Sequence, residues 1–471
     1  MGRRRRNPKI FENIEVIDAG AKGKAIAKAP DGKVIFLTDA VPGDIVNVKT
    51  GKQRKGYYEA KVIEYIKYSD KRTEPVCKHF EYCGGCKWQN MAYEHQLAFK
   101  ENEVTQNLIR IGHLELPEIT PILGCKEIYN YRNKMEFSFA SKRWLTWEEI
   151  KSDEKIDAFP ACGFHISGMW DKILDIDECH LQEEPSNSIR NYIKNFAIAH
   201  QIPFFDPRSQ EGFLRTLMIR NTSIGELMIV LQLFEEHTEN KEKLLKAIAD
   251  KFPEITSLQY VINGKANDTI YDQDVILYKG KDHIVEEMEG LKFKINAKSF
   301  YQTNSLQAYE LYKIARNFAD LKGDELVYDL YTGTGTIAQF VSKNAKKVIG
   351  IESVPEAIVD AKINAKNNNI SNVEFYVGDM AKVFTDDFLS LHGKPDVIIT
   401  DPPRIGMHKK VVEQILKIAP KRIVYVSCNS ATQARDLALM DETYKIIKTQ
   451  AVDMFPQTHH VENVVLLELR D

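Results

Sequence analysis

Cysteine is scarce in this chain: seven residues among 471, an odd number. That count argues against a framework of paired disulfides. It favours a reducing, cytoplasmic setting in which clustered thiols more often hold metal. No apolar run approaches the ~18 residues of a membrane-spanning helix. The start, "MGRRRRNPKI", is charged with no apolar stretch behind it, so it does not read as a secretory signal. Repeats and low-complexity segments are lacking between about 120 and 290, and the formal net charge of the chain is only −3. What is left is the composition of a soluble globular chain, 43% apolar and 28% charged. Its length suits roughly three domains.

The distribution of charge says more than its sum. Residues 1–72 carry 17 Lys+Arg against 9 Asp+Glu, the asymmetry of a part that anchors nucleic acid. Arg3–Arg6 taken alone could equally be a solvated tail. Between residues 10 and 67, apolar and polar positions alternate between turns such as Asp31-Gly32 and Pro42-Gly43-Asp44. This predicts a small antiparallel barrel. Lys52, Arg54 and Lys55 stand beside Tyr57 and Tyr58, a mixture that barrels use to bind single strands. Exposed lysines on a strand can also simply blunt an edge.

A helix is predicted in "MAYEHQLAFKENEVTQNLIRIG", and "SKRWLTWEEIKSDEKID" reads as a surface loop or insertion. From about 291 the order becomes strand, loop, helix. The near-continuous apolar strands in "ELVYDLY", "VEFYVGD", "PDVIITDPP" and "RIVYVSCN" imply a parallel sheet covered on both faces. The expected division is a barrel at 1–70, a central α+β domain at 71–290 and an α/β domain at 291–471.

In such sheets ligands bind at the carboxyl ends of strands, and the polar motifs fall there. In "DLYTGTGT" (329–336), Gly333 and Gly335 allow a tight turn and close approach of a ligand. Glu352, at the end of the next strand, is placed to accept from ribose hydroxyls. These glycines also fit a dinucleotide fingerprint. Asp329 and Asp379 suit a cationic adenosine-bearing ligand better than a pyrophosphate. "TDPPR" (400–404) puts Asp401 at a strand end, and "VSCNSAT" (426–432) puts Cys428 at the next. A lone cysteine is more often a small core residue, but beside a cofactor crevice a thiolate is the natural nucleophile for an electron-poor carbon. In "FPQTHHVENVVLL" (455–467), Glu462 enters a terminal strand near the same crevice, where a base would be needed to take a proton from carbon.

A second cluster stands apart. "CKHFEYCGGCKWQ" (77–89) holds Cys77, Cys83 and Cys86 around Gly84-Gly85. Three thiolates need a fourth ligand, with zinc taking Cys₄ or Cys₃His and a 4Fe-4S cluster taking four cysteines. Spacing does not separate them. His79, Cys125, Cys162 and Cys179 are all candidates for the fourth position.

Taken together, "KSFYQTN" (298–304), "DLYTGTGT", "TDPPR", "VSCNSAT" and "FPQTHHVE" resemble the RNA uracil-5 methyltransferases that use S-adenosylmethionine. The resemblance covers nearly the whole chain. It implies a class I, Rossmann-like methyltransferase domain behind a TRAM-like (OB-like) barrel and a central domain carrying a metal cluster. It also implies Cys428 as nucleophile and Glu462 as proton acceptor. Gln302, Tyr331, Gly333, Gly335, Thr336, Glu352, Asp379 and Asp401 become cofactor contacts, and Phe300 and Arg132 substrate contacts. Relatives with "CGGC" hold an iron–sulfur cluster whose fourth cysteine precedes a leucine in a C-x-L context. "DECHLQ" matches, so the implied ligand set is Cys77, Cys83, Cys86 and Cys179, with a 4Fe-4S cluster favoured over zinc. The implied partner is RNA, 23S ribosomal RNA ahead of tRNA, for a cytoplasmic monomer with no membrane association. A cytosine-5 methyltransferase and a non-catalytic ribosome-assembly factor are the alternatives. The filled nucleophile, base and cofactor positions weigh against the second.

Overall fold

A computed structural model describes residues 8–470, apart from 54–55, 153–155 and 157–158. Arg3–Arg6, Arg54 and Lys55 lie outside the described residues, as does the side chain of Lys52.

The strands Ile10–Ala19, Ala25–Lys28, Val34–Leu37, Ile45–Gln53 and Tyr57–Lys67 close into a barrel. Alternate residues point inward, as the two-residue period of a strand requires: Val16, Ala27, Ile35, Leu37, Val46 and Val48 form the interior. Closure departs from the expected antiparallel pattern at one seam, where Val34–Leu37 runs parallel to Tyr57–Lys67. The same alternation corrects the reading of Tyr58 as part of a nucleic-acid face. Its ring is buried in the barrel core and its hydroxyl donates to Asp31 Oδ2 at 2.7 Å.

The central sheet has seven strands, with Leu227–Leu233, Leu214–Asn221 and Lys134–Ala140 at its middle. The helices Ser186–Ala199 and Thr238–Lys251 contribute Ile189, Ile193, Leu244 and Ile248 to its core.

The C-terminal sheet has eight strands, in the order Val373–Val377, Lys347–Glu352, Leu326–Leu330, Val397–Thr400, Arg422–Ser427, Glu462–Leu469, Tyr444–Val452, Thr120–Leu123. The first five run parallel, and Glu462–Leu469 is antiparallel to both its neighbours. Val327, Val348, Ile399 and Val424 pack on one face, while Leu330, Ile351, Ile398 and Ile423 pack on the other. Cover on both sides is why the strands read as unbroken apolar runs. Each such side chain contributes about 1.5–3 kcal/mol on burial.

One segment reaches across from upstream. Thr120–Leu123 pairs in parallel with Tyr444–Val452 at the sheet edge, and the helix Tyr93–Arg110 packs on Ser430–Ala438, with Asn107 Nδ2 donating to Ser430 Oγ at 2.8 Å. The buried stripe of Tyr93–Arg110 is Gln96, Lys100, Val104 and Leu108, a four-residue spacing that defines one helix face. That face is apolar at one end and polar at the other. Among the described residues no helix is long and apolar enough to cross a membrane.

Candidate active site and thiol cavity

The polar motifs gather along one edge of the C-terminal sheet, where five parallel strands end and the antiparallel strand Glu462–Leu469 begins. The turn after Leu326–Leu330 is held in left-handed backbone at Tyr331 (φ 65°), Gly333 (φ 56°) and Gly335 (φ 75°). A non-glycine residue there costs energy and is a mark of functional sites. At Gly335 a Cβ would meet Phe375 ring atoms at 2.6 and 2.7 Å, whereas at Gly333 it would meet nothing within 4 Å. One glycine is required by packing, and the other leaves open space over the turn.

Asp329 is buried at this strand end. Its Oδ2 accepts from Thr332 Oγ1 at 2.5 Å and Ala338 N at 3.0 Å, while Oδ1 has no partner. Burial pushes its pKa up to about 7, and the charges of Asp401 and Glu352 add to the rise. Asp401 is likewise raised to about 7 by desolvation. Glu462, 6% exposed, is raised well above the carboxylate range by burial and then by Asp401. The buried Tyr312 hydroxyl is raised by the same Asp401, Asp329 and Glu462 after burial itself. Asp401 is thus the charge that both Asp329 and Glu462 feel.

Cys428 joins this group. Burial pushes its thiol up to about 11, Glu462 and Asp401 push the same way, and Arg404 opposes them by charge and hydrogen bonding. Arg404 is fixed by the loop that follows Cys428: its carbonyl accepts from Asn429 Nδ2 at 2.9 Å and Thr432 Oγ1 at 3.2 Å. Its Nη2 donates to His460 Nδ1 at 3.2 Å. Burial lowers His460 to about 3 and His459 to about 4, so both rings are neutral near pH 7. Arg404 is a candidate the sequence reading passed over, although it ends the quoted "TDPPR".

The remaining cofactor candidates differ in how free they are. Glu352 Oε2 accepts from Gly333 N at 3.2 Å, and Oε1 accepts from Ser353 N, Ser353 Oγ and Val354 N at 2.6, 2.9 and 3.0 Å. Asp379 caps the short helix Met380–Val383 by accepting from Ala381 N at 3.0 Å. Thr336 is buried beside Thr334, their hydroxyls 3.3 Å apart. Gln302 lies on the loop before the helix Ser305–Ala319, and its carbonyl accepts from Asn133 Nδ2 at 2.9 Å. On the same loop Phe300 is 69% exposed, which is not the setting of a core phenylalanine.

The second cluster closes around a cavity of about 160 Å³ lined by Cys77, Cys83, Cys86 and Cys179, with Arg132, Phe164 and Leu181 among the walls. Burial pushes Cys83 up to about 11 and Cys86 to about 12, and each is raised further by the other thiols. His79 also lines the cavity, with its Nε2 accepting from Asp177 N at 3.2 Å. Cys162 is buried in the central core, and Cys125 sits beside Asn304 Nδ2 at 3.3 Å. Among the described residues no three Cys, His, Asp or Glu side chains converge closely enough to hold a single metal ion. Arg132 links this cavity to the catalytic edge, with its guanidinium 5.4 Å from the centroid of Phe455.

Comparison with known proteins identifies the family. The sequence model of the tRNA (uracil-5-)-methyltransferase family matches residues 212–470. An "uncharacterized RNA methyltransferase" of Bacteroides thetaiotaomicron is 58% identical over 96% of this chain and 100% of the relative. Another, of Porphyromonas gingivalis, is 55% identical over 96% of this chain and 99% of its own. Among solved structures, the Pyrococcus abyssi tRNA (uracil-54, C5)-methyltransferase in complex with S-adenosyl-L-homocysteine superposes with a TM-score of 0.75. It is 27% identical and covers 96% of this chain and 100% of that one.

Proposed function

We propose, for a chain that belongs to the S-adenosylmethionine-dependent RNA uracil-5 methyltransferase family, that it methylates C5 of a uridine in 23S ribosomal RNA through Cys428 and Glu462. The observation that carries this reading is the meeting of one thiol, one buried carboxyl and one guanidinium at a single sheet edge. Uracil C5 is a poor nucleophile until C6 is attacked. The Cys428 thiolate adds to C6, pushing electrons through the ring onto O4 and making C5 nucleophilic. Arg404, beside the sulfur, stabilises the thiolate. Once C5 carries the methyl group, Glu462 takes the C5 proton as the C6–sulfur bond breaks, and the ring is restored. A base kept basic by burial suits that role. The uridine must leave its stack to enter the crevice, and the exposed Phe300, together with Arg132, would receive it.

The residues fit the cofactor the family uses. The unpartnered Asp329 oxygen and the open space above Gly333 suit a cationic ligand that approaches the backbone closely. Gln302, Tyr331, Glu352, Asp379 and Asp401 complete the set that would hold it. When bound, S-adenosylmethionine supplies the methyl group.

The thiol cavity fits a cluster better than a single ion. Zinc would draw four ligands to ~2–2.3 Å of one point, whereas these four thiols line a space of about 160 Å³. Cys77, Cys83, Cys86 and Cys179 would hold a 4Fe-4S cluster there, away from the methyl-transfer chemistry. Iron and sulfide analysis of anaerobically purified protein tests this, and stoichiometric zinc in their place refutes it.

The barrel, as a TRAM-like domain at 1–70, and the central domain at 71–290 would hold the RNA against the catalytic domain at 291–471. A second target reading, tRNA, is favoured by the Pyrococcus neighbour, whose name gives uracil 54 of tRNA as its substrate. Mass-spectrometric mapping of 5-methyluridine in ribosomal RNA and tRNA, with and without the gene, separates the two targets. If neither RNA loses a methyl group, uracil methylation of both is refuted.

A further inference from the structure

The loop that leads into Glu462 is locked from outside its own sheet. Gln457 is 2% exposed and sits in left-handed backbone at φ 66°. A residue other than glycine persists there only when its surroundings over-determine it. Here they do. The Gln457 carbonyl accepts from Lys87 N at 2.8 Å and Trp88 N at 3.1 Å, the two residues that follow Cys86. Its own N–H donates to Gln96 Oε1 at 3.0 Å, and its Oε1 accepts from Gln96 Nε2 at 3.0 Å. Gln96, 1% exposed, also donates from Nε2 to Trp88 O at 2.9 Å and Met91 O at 2.8 Å.

Neighbouring bonds extend the grip. The buried Lys100 Nζ is 2.6 Å from Asp453 Oδ1 and donates to Phe455 O at 3.2 Å. Tyr131 donates to Pro456 O at 2.9 Å. Within the loop, Thr458 Oγ1 donates to Phe455 O and accepts from His460 N, at 2.8 and 3.2 Å. This short, tied turn ends two residues before Glu462 and carries His460, the partner of Arg404.

The geometry points to Gln96 and Gln457 as positioning residues for the catalytic base: their reciprocal amide pair, with the Lys87–Trp88 backbone, sets where Glu462 stands relative to Cys428. The polar half of the Tyr93–Arg110 stripe thereby gains a function, since a helix that only packed would bury apolar residues there. The inference rests on Glu462 being the proton acceptor. It predicts a particular failure when the pair is broken. Arg404 is still held through its carbonyl by Asn429 and Thr432 when the loop and His460 loosen, so the thiol keeps its cation and addition and methyl transfer continue. Removal of the C5 proton slows, because a displacement of about 1 Å at a reacting group can cost up to roughly 100-fold.

The test uses full-length protein and RNA carrying tritium at uridine C5, read in single turnovers for methyl transfer, tritium release and denaturant-resistant Cys428–RNA adduct. Gln96→Ala is expected to slow tritium release roughly 10- to 100-fold, with KM for RNA near the parent value and accumulated adduct. Gln457→Gly keeps the left-handed backbone and all three backbone bonds, is expected to fold even if Gln96→Ala does not, and is expected to show the same signature more weakly. The inference is overturned if Gln457→Gly, with a parent-like melting curve, releases tritium at the parent rate, or if either folded variant loses methyl transfer without accumulating adduct. Glu462→Gln is the control that separates the two readings: if it traps no adduct, the base assignment has failed rather than the positioning role.

Discussion

Two regions of this molecule bury thiols, and burial treats them alike. Cys428 at the sheet edge and Cys83 in the central cavity are both pushed up to about 11. Their neighbours separate them. Cys428 has a guanidinium within hydrogen-bonding reach and a buried carboxyl beyond it, so one thiolate can form where an electron-poor carbon would sit. Cys83 has other thiols around it, which raise one another against the opposing pull of the Gly85 N–H and Lys87. Desolvation makes a thiol inert in either place. The nearest charge decides whether it becomes a nucleophile or a ligand.

The largest test of this contrast is at the sulfur itself. Cys428→Ala is expected to lower methyl transfer at least about 1,000-fold, as removal of a nucleophile does, while leaving any iron in the cavity untouched. Cys179→Ser is expected to do the reverse, lowering iron content while the Cys428–RNA adduct still forms. Methyl transfer by folded Cys428→Ala at the parent rate would end the assignment.

Next in size is the buried pair at the junction of the two regions. Lys100 and Asp453 are both inaccessible to solvent. Burial lowers the Lys100 pKa in spite of its partner. Lys100→Met is expected to cost about 3–5 kcal/mol, because Asp453 is left buried and unpaired. The double variant with Asp453→Asn is expected to recover most of that in denaturant melts. If the single variant is as stable as the parent, the junction is not under this tension.

A smaller effect is expected at the guanidinium. Arg404→Ala removes a group that opposes the upward shift of Cys428. The rate rises with pH as the thiol ionises, so losing the cation moves that limb to higher pH. At pH near 7 the loss is expected to be about 10- to 100-fold. Arg404→Lys retains charge and is expected to lie between. An alkaline limb unmoved in Arg404→Ala would show that the sulfur is activated elsewhere.

The two regions were not equally legible in the amino-acid order. The catalytic edge was, because a parallel sheet delivers the end of every strand to one side. Asp329, Glu352, Asp401 and Cys428 could each be located from the apolar run before them. The placement of Cys179 beside Cys83 rested on a resemblance, since a cavity wall assembled from distant loops leaves no periodic trace. Least visible was the glutamine pair, 361 residues apart in sequence. In a helical pattern Gln96 looks like a solvated residue, and only the turned-in loop makes it a buried one. Tyr58 misled for a related reason: next to lysines it resembled a binding face, and a single step of strand alternation put it inside.

The gentlest test is pH, and it compares the crevice with and without its ligand. Asp329 and Asp401 stand at about 7 in the fold against 3.8 for the ordinary side chain. A raised acid favours the protonated folded state. The contribution of these two carboxyls to stability is therefore full below about pH 4 and is lost as pH rises toward about 7. A cationic ligand prefers the ionised carboxyls, so binding S-adenosylmethionine should release protons below about pH 7. Its affinity should weaken by roughly tenfold per pH unit for each carboxyl that must ionise. S-adenosylhomocysteine, without the sulfonium charge, should follow a shallower slope, and the gap between the two slopes measures how much of the carboxylate field is directed at the sulfur. Calorimetry in buffers of different ionisation heat reads both the protons and the affinity. Identical slopes for the two ligands would place the raised carboxyls away from the transferred group.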